Sequence, residues 1–233
     1  MSDLKQNFEV IFQRVRNAAA VSGRDPADIK LVAVSKTHPA DAIRQAIDVG
    51  CSVFGENKVQ EAEAKIQEIG RDSAEWHLIG HLQSNKARKA AQLFDVIHSL
   101  DSVELAERLE RICVEDRRTK LSVLAQVDLA GEETKSGIGE NDLPDLAEYL
   151  RLCERLKFVG LMVLPPFNES PEMTRPYFRR LRQIRDEFAA KRFFSAGSGE
   201  LSMGMSHDFE VAIEEGATMV RVGTAIFGER QYN

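Results

Sequence analysis

The sequence predicts a (β/α)8 TIM barrel preceded by one extra N-terminal helix. Three observations carry that prediction. Short apolar, β-branched runs alternate with helical periodicities along the chain, which implies a parallel sheet with helical crossovers. About eight strand–helix units fit into the 233 residues, and ~250 residues is the usual size of such a barrel. No GxGxxG follows an early strand, which disfavours an open doubly wound sheet.

The elements follow in order. Residues 4–20 read as a helix with Leu4, Phe8, Ile11, Phe12 and Val15 on one face. Asp25-Pro26 starts a turn, and Lys30–Ser35 is a β-branched run suited to a buried strand. Pro39–Asp48 reads as a helix with proline in its first turn, ending at Gly50. Ser52–Gly55 is a strand, and Lys58–Glu68 a helix closed by Gly70. Glu75–Ile79 and Val96–Ser99 are strands on either side of a helix at Lys86–Gln92. Val103–Glu115 is a long helix before a strand at Leu121–Val127. Leu143–Arg155 reads as a helix and Phe158–Met162 as a strand. Pro171–Ala190 is a helix on the recurrence of Tyr177, Leu181, Ile184 and Phe188. Glu200–Met203, Phe209–Gly216 and Met219–Val222 complete the series as strand, helix and strand. Pro165–Pro171 reads as a long loop inside one unit, so residues 1–233 are expected to form a single domain.

Composition excludes several function classes. Lys plus Arg number 31 and Asp plus Glu 37, for a net charge of −6. Nucleic-acid affinity rests on neutralising phosphates, so an acidic chain without a basic tail is not expected to bind nucleic acid. No run approaches the ~20 apolar residues of a spanning helix. The N-terminus is charged and has no apolar secretory core. Cys51, Cys113 and Cys153 are odd in number and widely spaced, which argues against a disulfide framework and a zinc site. The expected home is the reducing cytoplasm, with each cysteine a small apolar residue.

In a barrel of this kind, chemistry gathers where strands run into their C-terminal loops. Lys36 follows the four apolar residues Leu31–Val34 and Ser35 at the end of the first strand. A partly desolvated lysine is a nucleophile towards carbonyls; an exposed loop lysine is the alternative. The second strand runs into Glu56 and Asn57. The third carries His77, which reads as a hydrogen-bonded structural residue, and then His81, Asn85 and Lys86, which are better site candidates. The loop from Gly131 to Gly137 fits a surface turn or a lid. After the last two strands come Gly204-Met205-Ser206 and Gly223-Thr224-Ala225. Small residues let backbone N–H groups approach an anion, and barrels often bind phosphate there. Arg221, between Val220 and Val222, is placed to point into the barrel mouth, where a buried guanidinium needs a partner. A reactive lysine, a phosphate cradle and an inward arginine together suit a phosphorylated aldehyde held as a Schiff base. Pyridoxal 5′-phosphate (PLP) is the commonest such molecule, and a sugar phosphate in a Schiff-base aldolase is the other.

The residues also resemble a known family. Leu31–Thr37, Phe54–Asn57, Trp76-His77, Leu82–Lys86, Lys135-Ser136-Gly137, Leu201–Ser206 and Met219–Gly228 are similar to the pyridoxal phosphate homeostasis proteins. The resemblance covers nearly the whole chain. It implies a barrel like the N-terminal domain of bacterial alanine racemases (PLP fold type III), with PLP carried on Lys36. It implies that Arg221 faces the pyridine nitrogen, that Ser206, Gly223 and Thr224 hold the phosphate, and that Asn57 lies near the cofactor. It implies a role in intracellular vitamin B6 balance without robust catalysis, with PLP-dependent apoenzymes as recipients. A weak PLP-dependent amino-acid racemase is the alternative function. Racemases need a second, β-rich domain, and the chain ends at Asn233 soon after the last strand, so a monomer without that domain is expected. Lys58 and His207 depart from common family residues beside the site.

Overall fold

The last strand pairs with the first, so that eight parallel strands close on themselves. The computed structural model describes residues 2–131 and 136–228. Along the chain the strands are Lys30–Val34 (β1), Val53–Glu56 (β2), Glu75–Leu78 (β3), Val96–Leu100 (β4), Leu121–Asp128 (β5), a two-residue Ile138–Gly139 (β6), Leu156–Met162 (β7), Glu200–Met205 (β8) and Met219–Val222 (β9). β1 pairs with β2 and β9, and β4 with β5, all in parallel; β6 is an accessory strand on the end of β5. The helices are Ser2–Val21 (α1), Ala40–Asp48 (α2), Val59–Ile69 (α3), Ala87–Leu93 (α4), Val103–Glu115 (α5), Leu143–Leu152 (α6), Arg175–Ala190 (α7), Phe209–Glu214 (α8) and Thr224–Phe227 (α9). The predicted barrel and extra helix are thus observed. Among the described residues, no helix is long and apolar enough to cross a membrane.

Strand alternation divides the interior into two parts. Leu31, Ala33, Phe54, Trp76, Ile97, Leu161, Leu201, Val220 and Val222 belong to one large core with the helices. The intervening residues point into the barrel. There Val32, Val53 and Met219 form one small apolar cluster, and Val96, Leu124 and Met162 another. Buried polar residues His77, His98, Ser202 and Arg221 share the barrel interior with them.

Helix α1 packs against α8 and α9. Arg14 pairs with Glu210 at 2.6 Å and lies over the Phe209 ring, while Asn7 Nδ2 donates to the Ile226 carbonyl. On α1 the buried stripe is Phe8, Ile11, Val15, Ala18 and Ala19, whereas Phe12 stays 38% exposed.

Three expectations change for local physical reasons. The helix expected to reach Arg155 stops at Leu152. The Glu110 carboxylate on α5 accepts from the backbone N–H groups of Glu154, Arg155 and Leu156, so these amides need no helix to satisfy them. The helix expected from Pro171 begins as a 3-10 turn at Pro171–Thr174, and α7 starts at Arg175. Pro176 has no N–H to donate, so it fits only the first turn of a new helix. Phe178, not Tyr177, joins Leu181, Ile184 and Phe188 in the core. Residues 132–135, including Lys135 of the family-like triplet, lie outside the described residues, as does Tyr232.

Candidate functional site

At the C-terminal ends of the strands the barrel opens into a cavity of about 530 Å³, a size usual for small-molecule sites. Lys36, Asn57, Ser206, Arg221, Gly223 and Thr224, the six residues expected at the site, all line it. Val34, His38, Ile79, Leu164, Phe167, Met205 and His207 complete its wall.

The backbone around Lys36 is clamped from below. Ser35 is buried, and its Oγ donates to Glu56 Oε1 at 2.6 Å. Lys65 Nζ, reaching in from α3, donates to the Ser35 carbonyl, Glu56 Oε1 and Glu61 Oε1, each at 2.7 Å. On the other side of Lys36, the Thr37 N–H donates to Glu61. Thr37 has φ +67°, a left-handed conformation that a threonine rarely adopts. Two carboxylates and one ammonium therefore hold the strained turn that presents Lys36, which is itself half-buried. Burial pushes the Glu56 carboxyl up from its ordinary range, against the opposing pull of Lys65 and Ser35.

Across the cavity, two loops meet. Ser206 Oγ accepts from the Gly223 N–H at 3.2 Å, which ties the turn after β8 to the start of α9. The N-cap position of the next helix belongs to Asp208, not to Ser206, and the Asp208 carboxylate accepts from the Met205 N–H at 2.7 Å. A Cβ on Gly223 would lie 3.2 Å from both the Val34 carbonyl and Val34 Cβ. The glycine thus lets the α9 turn sit tight against β1. The first amides of a helix have no intrahelical partner, which makes such a turn suited to an anion.

Arg221 forms the floor between these two sides. It is 3% exposed, with Nη1 donating to Ser202 Oγ at 2.6 Å and Nη2 to the Val163 carbonyl at 2.9 Å. Both acceptors are neutral. Burial brings its pKa down to about 10, with Asp208 acting in the opposite sense. The guanidinium therefore remains a cation at neutral pH, facing a cavity that can offer it an electron-rich partner.

The remaining candidates fall elsewhere. His77 is buried and hydrogen-bonded, as expected of a structural histidine. His81 lies 3.4 Å from Asp101, and neither it, Asn85 nor Lys86 lines the cavity. Lys58 is exposed at the start of α3. Burial raises the thiols of Cys51 to about 12 and of Cys113 and Cys153 to about 11, which keeps them protonated and unreactive. No group of residues able to hold a metal occurs among those described. Sequence reasoning missed the wall formed by Leu164 and Phe167. These residues follow β7, so the strand-end rule already pointed to them. His207 Nε2 lies 3.1 Å from the carbonyls of Asn168 and Glu169, joining that wall to the turn after β8.

One glycine sets the position of Asn57. A Cβ on Gly80 would fall 2.3 Å from the Asn57 carbonyl oxygen and 2.7 Å from its Cα. Backbone cannot yield as a flexible side chain does. Gly80→Ala is expected to cost about 1–3 kcal/mol of stability and to displace Asn57 in the cavity wall. Denaturant unfolding measures the first effect and ligand affinity the second.

Comparison with known proteins places these features in a wider set. The family described as alanine racemase, N-terminal domain, matches residues 7–231. A pyridoxal phosphate homeostasis protein of Aquifex aeolicus is 44% identical over 222 residues, covering 95% of this chain and 96% of the relative. PipY of Synechococcus elongatus, solved with PLP bound, superposes with a TM-score of 0.79 at 41% identity, covering 92% of this chain and 100% of PipY. An alanine racemase of Clostridium difficile shares the fold, with a TM-score of 0.73 at 16% identity, covering 100% of this chain and 58% of the racemase.

Proposed function

The chain belongs to the pyridoxal phosphate homeostasis protein family, and from that premise we propose that it holds PLP in the strand-end cavity and serves intracellular PLP balance without robust catalysis. The cavity suits the group. It offers a primary amine at Lys36, a buried cation at Arg221, and a loop junction at Ser206, Gly223 and Thr224 with room for a phosphate. Bound PLP supplies an aldehyde that condenses with an amine and a ring that can withdraw electrons. In this reading Lys36 Nζ forms the Schiff base, Ser206, Gly223 and Thr224 bind the phosphate, Asn57 lies beside the ring, and Arg221 faces the ring nitrogen.

The observation that carries the reading is Arg221. A permanent cation at the ring nitrogen disfavours protonation there and so weakens the ring as an electron sink. That suits holding the cofactor better than turning over amino acids on it. A racemase would also require a second base. Tyr149 and Tyr177, the described tyrosines, do not line the cavity. PLP-dependent apoenzymes are the proposed recipients.

An absorbance titration with PLP tests the reading. The native chain is expected to develop the band of a lysine Schiff base and to saturate. Lys36→Ala is expected to lack it while remaining folded. A band of equal strength in Lys36→Ala would refute the assignment. Transfer of PLP from the loaded chain to an apoenzyme, read as restored apoenzyme activity, tests the recipients.

A further inference from the structure

Barrel interiors are normally packed with branched apolar side chains. Here a line of hydrogen bonds crosses the interior from the cavity to the opposite mouth. Arg221 Nη1 on β9 lies 2.6 Å from Ser202 Oγ on β8, which lies 2.8 Å from His98 Nδ1 on β4. His98 Nε2 lies 2.8 Å from His77 Nδ1 on β3, and His77 Nε2 lies 2.9 Å from Glu75 Oε1 at the start of β3. The Lys30 ammonium at the start of β1 sits 3.0 Å from the same carboxylate oxygen. Ser202, His77 and His98 are each 0% exposed.

Chemistry sets the direction of every link. Glu75 is held ionised, at about 2, mainly by its hydrogen bond with His77 and further by Lys30. It can only accept, so His77 donates from Nε2. Burial holds His77 and His98 below the ordinary histidine value, so both are neutral, with one N–H each. His77 Nδ1 is then an acceptor, and His98 must donate to it from Nε2. His98 Nδ1 is left as an acceptor, and the Ser202 hydroxyl donates its hydrogen bond to it. Ser202 Oγ is left with its lone pairs towards Arg221. All donors point away from the cavity, towards a carboxylate at the far end. Aligned bonds of this kind polarise and strengthen one another.

We propose that Glu75, His77, His98 and Ser202 form a positioning relay that fixes the plane of Arg221 against the ring nitrogen of bound PLP. None of the four lines the cavity. They act by denying Ser202 any other hydrogen-bonding direction, which leaves Arg221 one anchored orientation. The remaining N–H groups of the guanidinium are then presented to the cavity in a constant arrangement. The proposal rests on the reading that PLP occupies the cavity with Arg221 at its ring nitrogen.

The test compares the native chain with Ser202→Ala, His98→Leu and His98→Asn, each loaded with PLP. Circular dichroism checks the fold, and borohydride reduction followed by mass mapping checks the adduct on Lys36. Absorption and emission of the bound cofactor, which respond to the environment of the ring nitrogen, report the relay. Ser202→Ala and His98→Leu are expected to keep the Lys36 adduct, to shift both bands, and to bind PLP about tenfold more weakly, the scale of one lost hydrogen bond to a charged group. Competition by inorganic phosphate is expected to stay at the native level, since His77 and His98 hydrogen-bond to each other, to Glu75 and to Ser202 rather than to the Ser206, Gly223 or Thr224 loops. His98→Asn retains an acceptor for the Ser202 proton and is expected to restore the native bands. Native bands and affinity in Ser202→Ala or in folded His98→Leu would overturn the relay, as would His98→Asn behaving like His98→Leu. No adduct on Lys36 in the native chain would instead overturn the PLP reading itself.

Discussion

Lys65→Met is expected to lower stability by about 3–5 kcal/mol, the usual cost of removing one partner from a buried ion pair. The Lys65 and Glu56 side chains are 8% and 0% exposed. All three ammonium hydrogens are engaged, with the Ser35 carbonyl, Glu56 and Glu61. Glu56 Oε2 is buried and already lacks a partner among the described residues. Methionine fills similar volume but leaves that buried carboxyl without its cation, with the Ser35 hydroxyl still donating to it, so its charged form is disfavoured. The variant should therefore show a distinctive pH dependence. Its folded-state Glu56 pKa rises further above the unfolded value. Between those two values the folded form binds the extra proton, so stability is present at low pH and lost as pH rises. The deficit against the native chain should widen from pH 5 to pH 8, read by urea unfolding at each pH. Adding Glu56→Gln to the variant should recover part of the loss. PLP affinity should fall as well, because the clamp beneath Lys36 is broken.

His98 predicts a second large effect with the opposite sign. Burial first, then repulsion from His77 whenever that ring is protonated and from the standing cations Arg221 and Lys30, holds its folded pKa well below the ordinary value. An unfolded histidine takes up a proton below about pH 6.5, while folded His98 does not. Stability is therefore present above that pH and is lost as pH falls towards the folded pKa. Each such group contributes about 1.4 kcal/mol per pH unit across the window. His98→Leu removes the group, so the native chain should lose stability faster than the variant below pH 6.5 by about that slope. Glu56 and Asp101, both raised by burial, take protons in the contrary sense. They are present in both proteins and cancel in the difference. Equal slopes would show that His98 titrates normally and that the histidine pair is not held neutral.

Much of this architecture was legible in the residues themselves. Strands such as Lys30–Val34 and Met219–Val222 announce themselves because both faces are buried, and helix ends such as Gly70, with φ +103°, carry their own signal. The six expected cavity residues converge because they stand where strands meet loops, and the barrel brings those points to one mouth. What escaped was set by partners distant in sequence. The end of α6 depends on Glu110, 44–46 residues away in the bonds it makes. Lys65 sits within a helix and gives no sign in sequence that it will reach under the Lys36 turn. His98 and Ser202 are 104 residues apart, so no spacing could have joined them. His81, Asn85 and Lys86 misled because a polar loop after a strand can turn outward as readily as inward.

The most direct test of the central claim is a mass map of the chain loaded with PLP and reduced with borohydride. A pyridoxyl adduct confined to the peptide carrying Lys36, and absent from Lys36→Ala, is the predicted result. A reduced chain with Lys36 unmodified and no adduct on any other peptide would contradict it and return the cavity to other phosphorylated ligands.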